Sequence, residues 1–101
     1  MKLALTDGAA AAMADVLGTI GPQGRVEIRM HARLTRMLKD ACLKSEDGVE
    51  ARWQAGEVVI EDKEVAEHFV KAMNVKVKHG VPGRLAEGYE KLIELVDPDG
   101  G

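Results

Sequence analysis

The stretch from Arg25 to Lys44 changes its hydrophobic period near His31, and this change limits the folds open to the chain more than any other feature. Before the histidine, apolar residues alternate with charged ones, which is typical of a strand with one buried face. After it, apolar residues recur at the spacing of a helix. These are Leu34, Met37, Leu38, Ala41 and Cys42. The sequence therefore predicts a strand over 25–30 that leads into a helix over 32–44.

The rest of the chain divides into short elements by the same two periods. Residues 2–5 predict a strand, and Thr6 or Asp7 is a suitable cap for a helix that ends at Gly21. Val49–Trp53 and Glu57–Ile60 alternate on either side of a short turn, so we expect them to pair as a hairpin.

The final third of the chain predicts two helices with a strand between them. An amphipathic helix begins near Asp62, and an alternating segment around Val75 and Val77 indicates the strand. After the turn Gly80–Gly83, a last helix includes Leu85, Tyr89 and Val96 and ends before Asp97. From Arg25 onwards the predicted order is therefore β-α-β-β-α-β-α.

These elements predict one α+β domain over residues 1–101, because strands and helices alternate without a linker. The expected architecture is a two-layer open-faced sandwich, with a mostly antiparallel sheet and helices on one side. Residues 1–24 form a strand–helix extension, residues 25–97 form the core, and 98–101 form a flexible tail.

Composition narrows the possible functions. The net charge is −3. Nucleic acid is therefore not an expected partner, because proteins that bind it present a basic domain or stripe. Asp7 and Asp15 interrupt the first apolar run, so we expect no membrane insertion and a cytoplasmic location.

Cys42 is the sole cysteine, and its place in a helical apolar stripe predicts a buried, inert thiol. No cofactor or metal site is expected, since no Cys/His cluster has ligand spacing.

His31 is the best candidate for a reactive group. At the start of the predicted helix, unpaired backbone N–H groups favour an anion, and imidazole is a competent nucleophile near neutral pH. Arg33 is the arginine that we expect beside a phosphoryl group on His31, because a guanidinium pairs bidentately with phosphate oxygens. Three further arginines lie nearby and are interpreted as solvated surface: Arg25, Arg29 and Arg36.

The segment His31-Ala32-Arg33 resembles the active site of the HPr family, the histidine-containing phosphocarrier proteins of the bacterial sugar phosphotransferase system. The resemblance covers about residues 26–96 and includes the closing helix Ala86–Val96. It implies a phosphocarrier, not a true enzyme, that accepts and passes on a phosphoryl group at His31. Its partners would be phosphoryl donor and acceptor proteins. The family's regulatory serine falls at Glu64, whose negative charge implies that serine control is lost or permanently mimicked.

Two alternatives remain open. Leu5–Leu17 and Gly24–Arg29 look like the opening of the A-type iron–sulfur carriers, which hold iron or a cluster with three cysteines. With Cys42 alone, the chain would be a cysteine-less relative of that fold. The second alternative is a non-catalytic protein-binding or adaptor module that presents a helix face to a partner. The sequence leaves the oligomeric state open.

Overall fold

The computed structural model describes residues 1–48 and 50–96, and it confirms the predicted α+β class. The helices of this part of the chain are α1 (Asp7–Thr19), α2 (Arg25–Cys42), α3 (Lys63–His79) and α4 (Ala86–Val96). A 3₁₀ turn at Gly83–Leu85 precedes α4. The strands are β1 (Lys2–Leu5), β2 (Leu43–Asp47), β3 (Glu50–Trp53) and β4 (Gly56–Val59). The predicted order β-α-β-β-α-β-α is therefore wrong from Arg25 onwards.

The strands form two separate antiparallel sheets of two strands each, and not the single sheet that the sequence predicts. The expected hairpin of 49–53 with 57–60 is also wrong, because β3 pairs with β2 and β4 pairs with β1. Leu3 lies opposite Val58, and both side chains are buried. Alternation shows which face of a strand is apolar but does not identify its partner, so the pairing depends on where the helices place the strands.

Residues 25–30 are helical, which corrects the predicted strand. Helix α2 begins directly after Gly24, and the Ile28 N–H donates to the Gly24 carbonyl over 2.8 Å. Val26 and Ile28 are 64% and 53% exposed, so their alternation marks no buried strand face. Adding a residue to an existing helix gains a hydrogen bond for little further ordering, and the helix predicted over 32–44 extends backwards in this way. At its other end it stops at Cys42.

The predicted strand around Val75 and Val77 is wrong for a similar reason, because α3 continues to His79. The start of this helix is confirmed: the Asp62 carboxylate accepts the Glu64 N–H over 2.9 Å. The helix ends at Gly80, whose φ of 105° a residue with a side chain adopts with strain. Its predicted apolar face is buried, with Val65, Phe69, Ala72 and Met73 in the core.

Helix α1 lies at the centre of the molecule. It packs against α2, α3 and α4, and six of its 13 residues are buried, including Ala9, Ala12, Met13 and Val16. The segment 1–24, which the sequence predicts as an extension, thus supplies the helix around which the others pack. At one point α1 and α4 meet backbone to backbone, because a Cβ on Gly88 would collide with the Gly8 carbonyl.

Helix α4 confirms the predicted closing helix, with Tyr89 and Leu92 buried against the core. The predicted flexible tail 98–101 lies outside the described residues. Among the helices described, none combines the length and apolar character needed to cross a membrane.

Candidate functional site

His31 lies in the second turn of α2, and not at the strand–helix junction that the sequence predicts. The helix already begins at Arg25, so the unpaired amide groups of its first turn lie more than one turn before the histidine. The side chain is half-buried and faces the core side of α2, towards α1 and α3. The expected anion site at a helix start is therefore not where His31 stands.

Both ring nitrogens of His31 have a partner within the protein. Nε2 lies 2.6 Å from the Leu17 carbonyl oxygen, which can only accept, so Nε2 carries a proton and donates it. Nδ1 lies 3.3 Å from Nε2 of His68 and accepts from it when the pair is neutral. The ring centroids are 5.6 Å apart, and the planes are nearly perpendicular. The result is a chain of hydrogen bonds that joins α3, α2 and α1.

His68 is a member of this site that sequence reasoning missed. It lies 37 residues from His31, and no local spacing relates them, because the contact exists only once α2 packs against α3. Burial lowers the pKa of His68 below its ordinary value, and the charge of His31 lowers it further. Glu27 acts in the opposite direction and Lys71 in the same one. These effects favour the neutral imidazole that the hydrogen-bond chain uses.

Arg33 does not lie beside His31. Side chains two residues apart in a helix point to different sides. Arg33 instead pairs with Asp62 at the surface, where its Nη1 lies 3.3 Å from Oδ2 of Asp62. The two side chains are 58% and 43% exposed. The pKa of Asp62 lies below its ordinary value, chiefly because its carboxylate accepts the Glu64 backbone N–H. Desolvation raises this pKa in part, and smaller contributions from Val65 and Arg33 lower it.

Glu64 and Cys42 occupy the positions that the sequence predicts for them. Glu64 is exposed in the first turn of α3, where a negative charge suits the helix dipole; its regulatory meaning stays a prediction. Cys42 is confirmed as buried, and burial raises the pKa of its thiol. No group of three metal-binding side chains occurs within residues 1–48 and 50–96.

Because residues 25–30 are helical, four arginines that the sequence interpretation placed on separate surfaces share one helix face. Arg25, Arg29, Arg33 and Arg36, here named the arginine stripe, follow the spacing of one helix face and are all exposed. By helix geometry they fall within an arc of about 80° and extend about 16 Å along the axis. The signal was present in the sequence, but a strand over 25–30 would have pointed Arg29 away from Arg36.

Exposed apolar residues flank this stripe, and basic residues outnumber acidic ones on its helix. Val26 and Ile28 flank it near the start of α2 and are the most exposed of the large apolar residues described. Helix α2 contains five basic and two acidic residues, although the whole chain has a net charge of −3. Positive charge is therefore concentrated on one face of an otherwise acidic protein.

Comparison with protein-family models, curated proteins and solved structures found no match to this chain. The fold and site define it as an α+β protein whose main surface feature is one basic helix face. Its function is therefore inferred from that surface and from the histidine pair beneath it.

Proposed function

We propose that this protein is a non-catalytic binding module that presents the outer face of α2 to an acidic segment of a partner protein. The observation that carries the proposal is the arginine stripe, four exposed guanidinium groups on one face of a single helix. Guanidinium groups pair bidentately with carboxylates and are enriched where proteins meet. One of the four, Arg33, already pairs with a carboxylate of its own chain, through a single contact of 3.3 Å between its Nη1 and Oδ2 of Asp62.

The exposed apolar residues favour a protein over a nucleic acid. Val26 and Ile28 lie on either side of the stripe, where a partner's aliphatic side chains could cover them. A phosphate backbone offers no such cover. The acidic character of the remaining surface also opposes the close approach of a long polyanion.

Helix α2 holds this face in a fixed position. Leu34, Leu38 and Cys42 anchor its opposite side in the core, and His31 ties its second turn to Leu17 and His68. A helix that is already formed and anchored loses little further entropy when a partner binds, so the stripe is preorganised.

The proposal is tested with a fluorescent helical peptide. One face of this peptide carries glutamate and leucine in alternate turns. We expect saturable binding by anisotropy that weakens as salt is added, because exposed charges are screened. Reversing two charges in Arg29→Glu with Arg36→Glu should reduce the affinity by roughly tenfold or more. The control, Lys63→Glu with Lys71→Glu, makes the same charge change on the exposed surface of α3 and should bind normally.

Three results would contradict the proposal. The peptide could fail to bind, or the α3 control could lose as much affinity as the α2 variant, which would indicate attraction by overall charge alone. A DNA duplex or vesicles of anionic lipid could also bind more tightly than the peptide, in which case the stripe serves another class of partner.

A further inference from the structure

An open cleft lies on the side of α1 that faces β3 and the 3₁₀ turn, away from the histidine pair. Its volume is about 490 Å³, within the range of sites for small molecules. Small residues of α1, Ala11, Ala14 and Gly18, form its floor, and Trp53 of β3 forms a wall. The small side chains leave room beside the indole ring, so the cleft offers a slot next to a flat aromatic surface.

Asp15 supplies a hydrogen-bond acceptor in this cleft. Its Oδ2 accepts the Tyr89 hydroxyl over 2.6 Å and lies 3.7 Å from Nζ of Lys76, so the carboxylate is held in place from the core side. The Asp15 and Lys76 side chains are only 19% and 13% exposed. The second oxygen, Oδ1, makes no hydrogen bond within the described residues and is not among their buried, unpaired atoms. It is therefore free to accept from a ligand.

Arg84 gives the cleft a net positive charge. It lies at the rim on the 3₁₀ turn and is exposed. Lys76 offsets the charge of Asp15, and no acidic side chain in the described part of the chain pairs with Arg84. An anionic group on the ligand would meet a guanidinium, which binds phosphate through paired hydrogen bonds.

We propose that this cleft binds a nucleotide whose base carries an exocyclic amino group. The base stacks on Trp53, the amino group donates to Oδ1 of Asp15, and the phosphate pairs with Arg84. Each of the three residues offers a different interaction. Trp53 offers a surface for stacking with a base, and Asp15 and Arg84 offer charge-assisted hydrogen bonds to the amino group and the phosphate. This site is separate from the arginine stripe and does not depend on the function proposed for α2.

Trp53 is the sole tryptophan, so quenching of its fluorescence reports directly on the cleft. We expect adenosine 5′-monophosphate to quench this fluorescence saturably. Adenosine, which lacks the phosphate, should bind roughly tenfold more weakly, because one charge-assisted pair is lost. Inosine 5′-monophosphate carries a carbonyl in place of the amino group, and it should also bind roughly tenfold more weakly.

Two variants assign these differences to residues. Arg84→Ala should make the monophosphate and adenosine bind alike, whereas Asp15→Ala should make the adenine and inosine nucleotides bind alike. Leu34→Ala removes a buried side chain that does not line the cleft and should keep both preferences, so it controls for loss of stability. Circular dichroism verifies that each variant is folded, and Asp15→Leu, which has similar bulk and no hydrogen-bond acceptor, replaces the alanine variant if that one does not fold.

The proposal is overturned if adenosine 5′-monophosphate causes no saturable quenching. It is also overturned if quenching occurs but both preferences survive in Arg84→Ala and Asp15→Ala, because the nucleotide would then bind elsewhere.

Discussion

His31 and His68 differ in their fixed contacts. His31 donates through Nε2 to the Leu17 carbonyl, and its Nδ1 lies 3.3 Å from Nε2 of His68, so both of its ring nitrogens have partners inside the protein. His68 uses one nitrogen in this contact, and burial together with the charge of His31 holds its pKa below the ordinary value. At this scale, the ring that the sequence suggests as a nucleophile acts as a connector between helices.

The lowered pKa of His68 makes the stability of the protein depend on pH. The unfolded chain takes up this proton near pH 6.5, whereas the folded protein does so only at lower pH. The contribution of neutral His68 is therefore fully present above the unfolded pKa. It falls as the pH drops through 6.5, and the loss levels off below the folded pKa.

Chemical denaturation between pH 8 and pH 5 measures this dependence. We expect His68→Gln to reduce the pH-dependent loss, and His79→Gln, at an exposed position of the same helix, to leave it unchanged. An identical pH profile in wild type and His68→Gln would show that other groups govern it.

The phosphocarrier hypothesis has a direct test at His31. We expect incubation with a phosphotransferase enzyme and phosphoenolpyruvate to leave this residue unmodified, since both of its ring nitrogens are hydrogen-bonded inside the protein. An acid-labile, base-stable phosphate adduct that is absent in His31→Ala would instead support the carrier function. Mass spectrometry of the intact protein distinguishes the two results.

At the scale of elements, α2 combines a buried side that sets stability with an exposed side that is open to a partner. Leu34 and Leu38 are buried in the core, and the arginine stripe lies on the opposite face. The two sides should respond to substitution differently, because removing a buried side chain leaves a cavity and removing an exposed one does not. Binding variants on α2 can therefore be interpreted without a correction for unfolding.

Leu34→Ala should lower the free energy of unfolding by about 3 kcal/mol, the usual cost of a cavity at a fully buried leucine. Arg29→Ala should change it by less than about 0.5 kcal/mol, because an exposed side chain is removed. Urea denaturation of both variants provides the comparison. A large loss of stability in Arg29→Ala would indicate that the stripe serves the fold.

At the scale of the whole molecule, the arrangement depends on close contacts around α1. Its many alanines and Gly8 let neighbouring elements approach closely, and Gly88 of α4 meets Gly8 backbone to backbone. Two glycines that face each other are not equivalent here. A Cβ on Gly88 would enter the Gly8 carbonyl, whereas a Cβ on Gly8 would meet its nearest neighbour, the Gly88 Cα, at 3.6 Å.

This asymmetry predicts opposite outcomes for two matched substitutions. Gly88→Ala should lower the free energy of unfolding by about 1–3 kcal/mol, because α4 must move away from α1. Gly8→Ala should be neutral or slightly stabilising, since its Cβ has room and alanine favours a helix. Thermal unfolding of both variants tests the packing of the two helices, and equal effects would contradict it.

Local spacing allowed several parts of this structure to be predicted from the sequence. Helices α1 and α4, the cap at Asp62 and the burial of Cys42 were predicted correctly. In each case a cap or an apolar stripe lies within a few turns of one segment, so the information is contained in neighbouring residues. The α+β class follows from the same patterns.

Contacts between distant segments decided the rest. The alternation of Val26, Ile28 and Met30 also suits an exposed helical turn, and only the packed structure shows that Val26 and Ile28 face away from the core. Strand pairing, the meeting of His31 with His68 and the cleft beside Trp53 each join residues far apart in the chain. The sequence by itself determined the apolar faces, because these depend on local periodicity. Tertiary structure alone decided which faces meet, because that choice depends on the free energy of packing the whole chain.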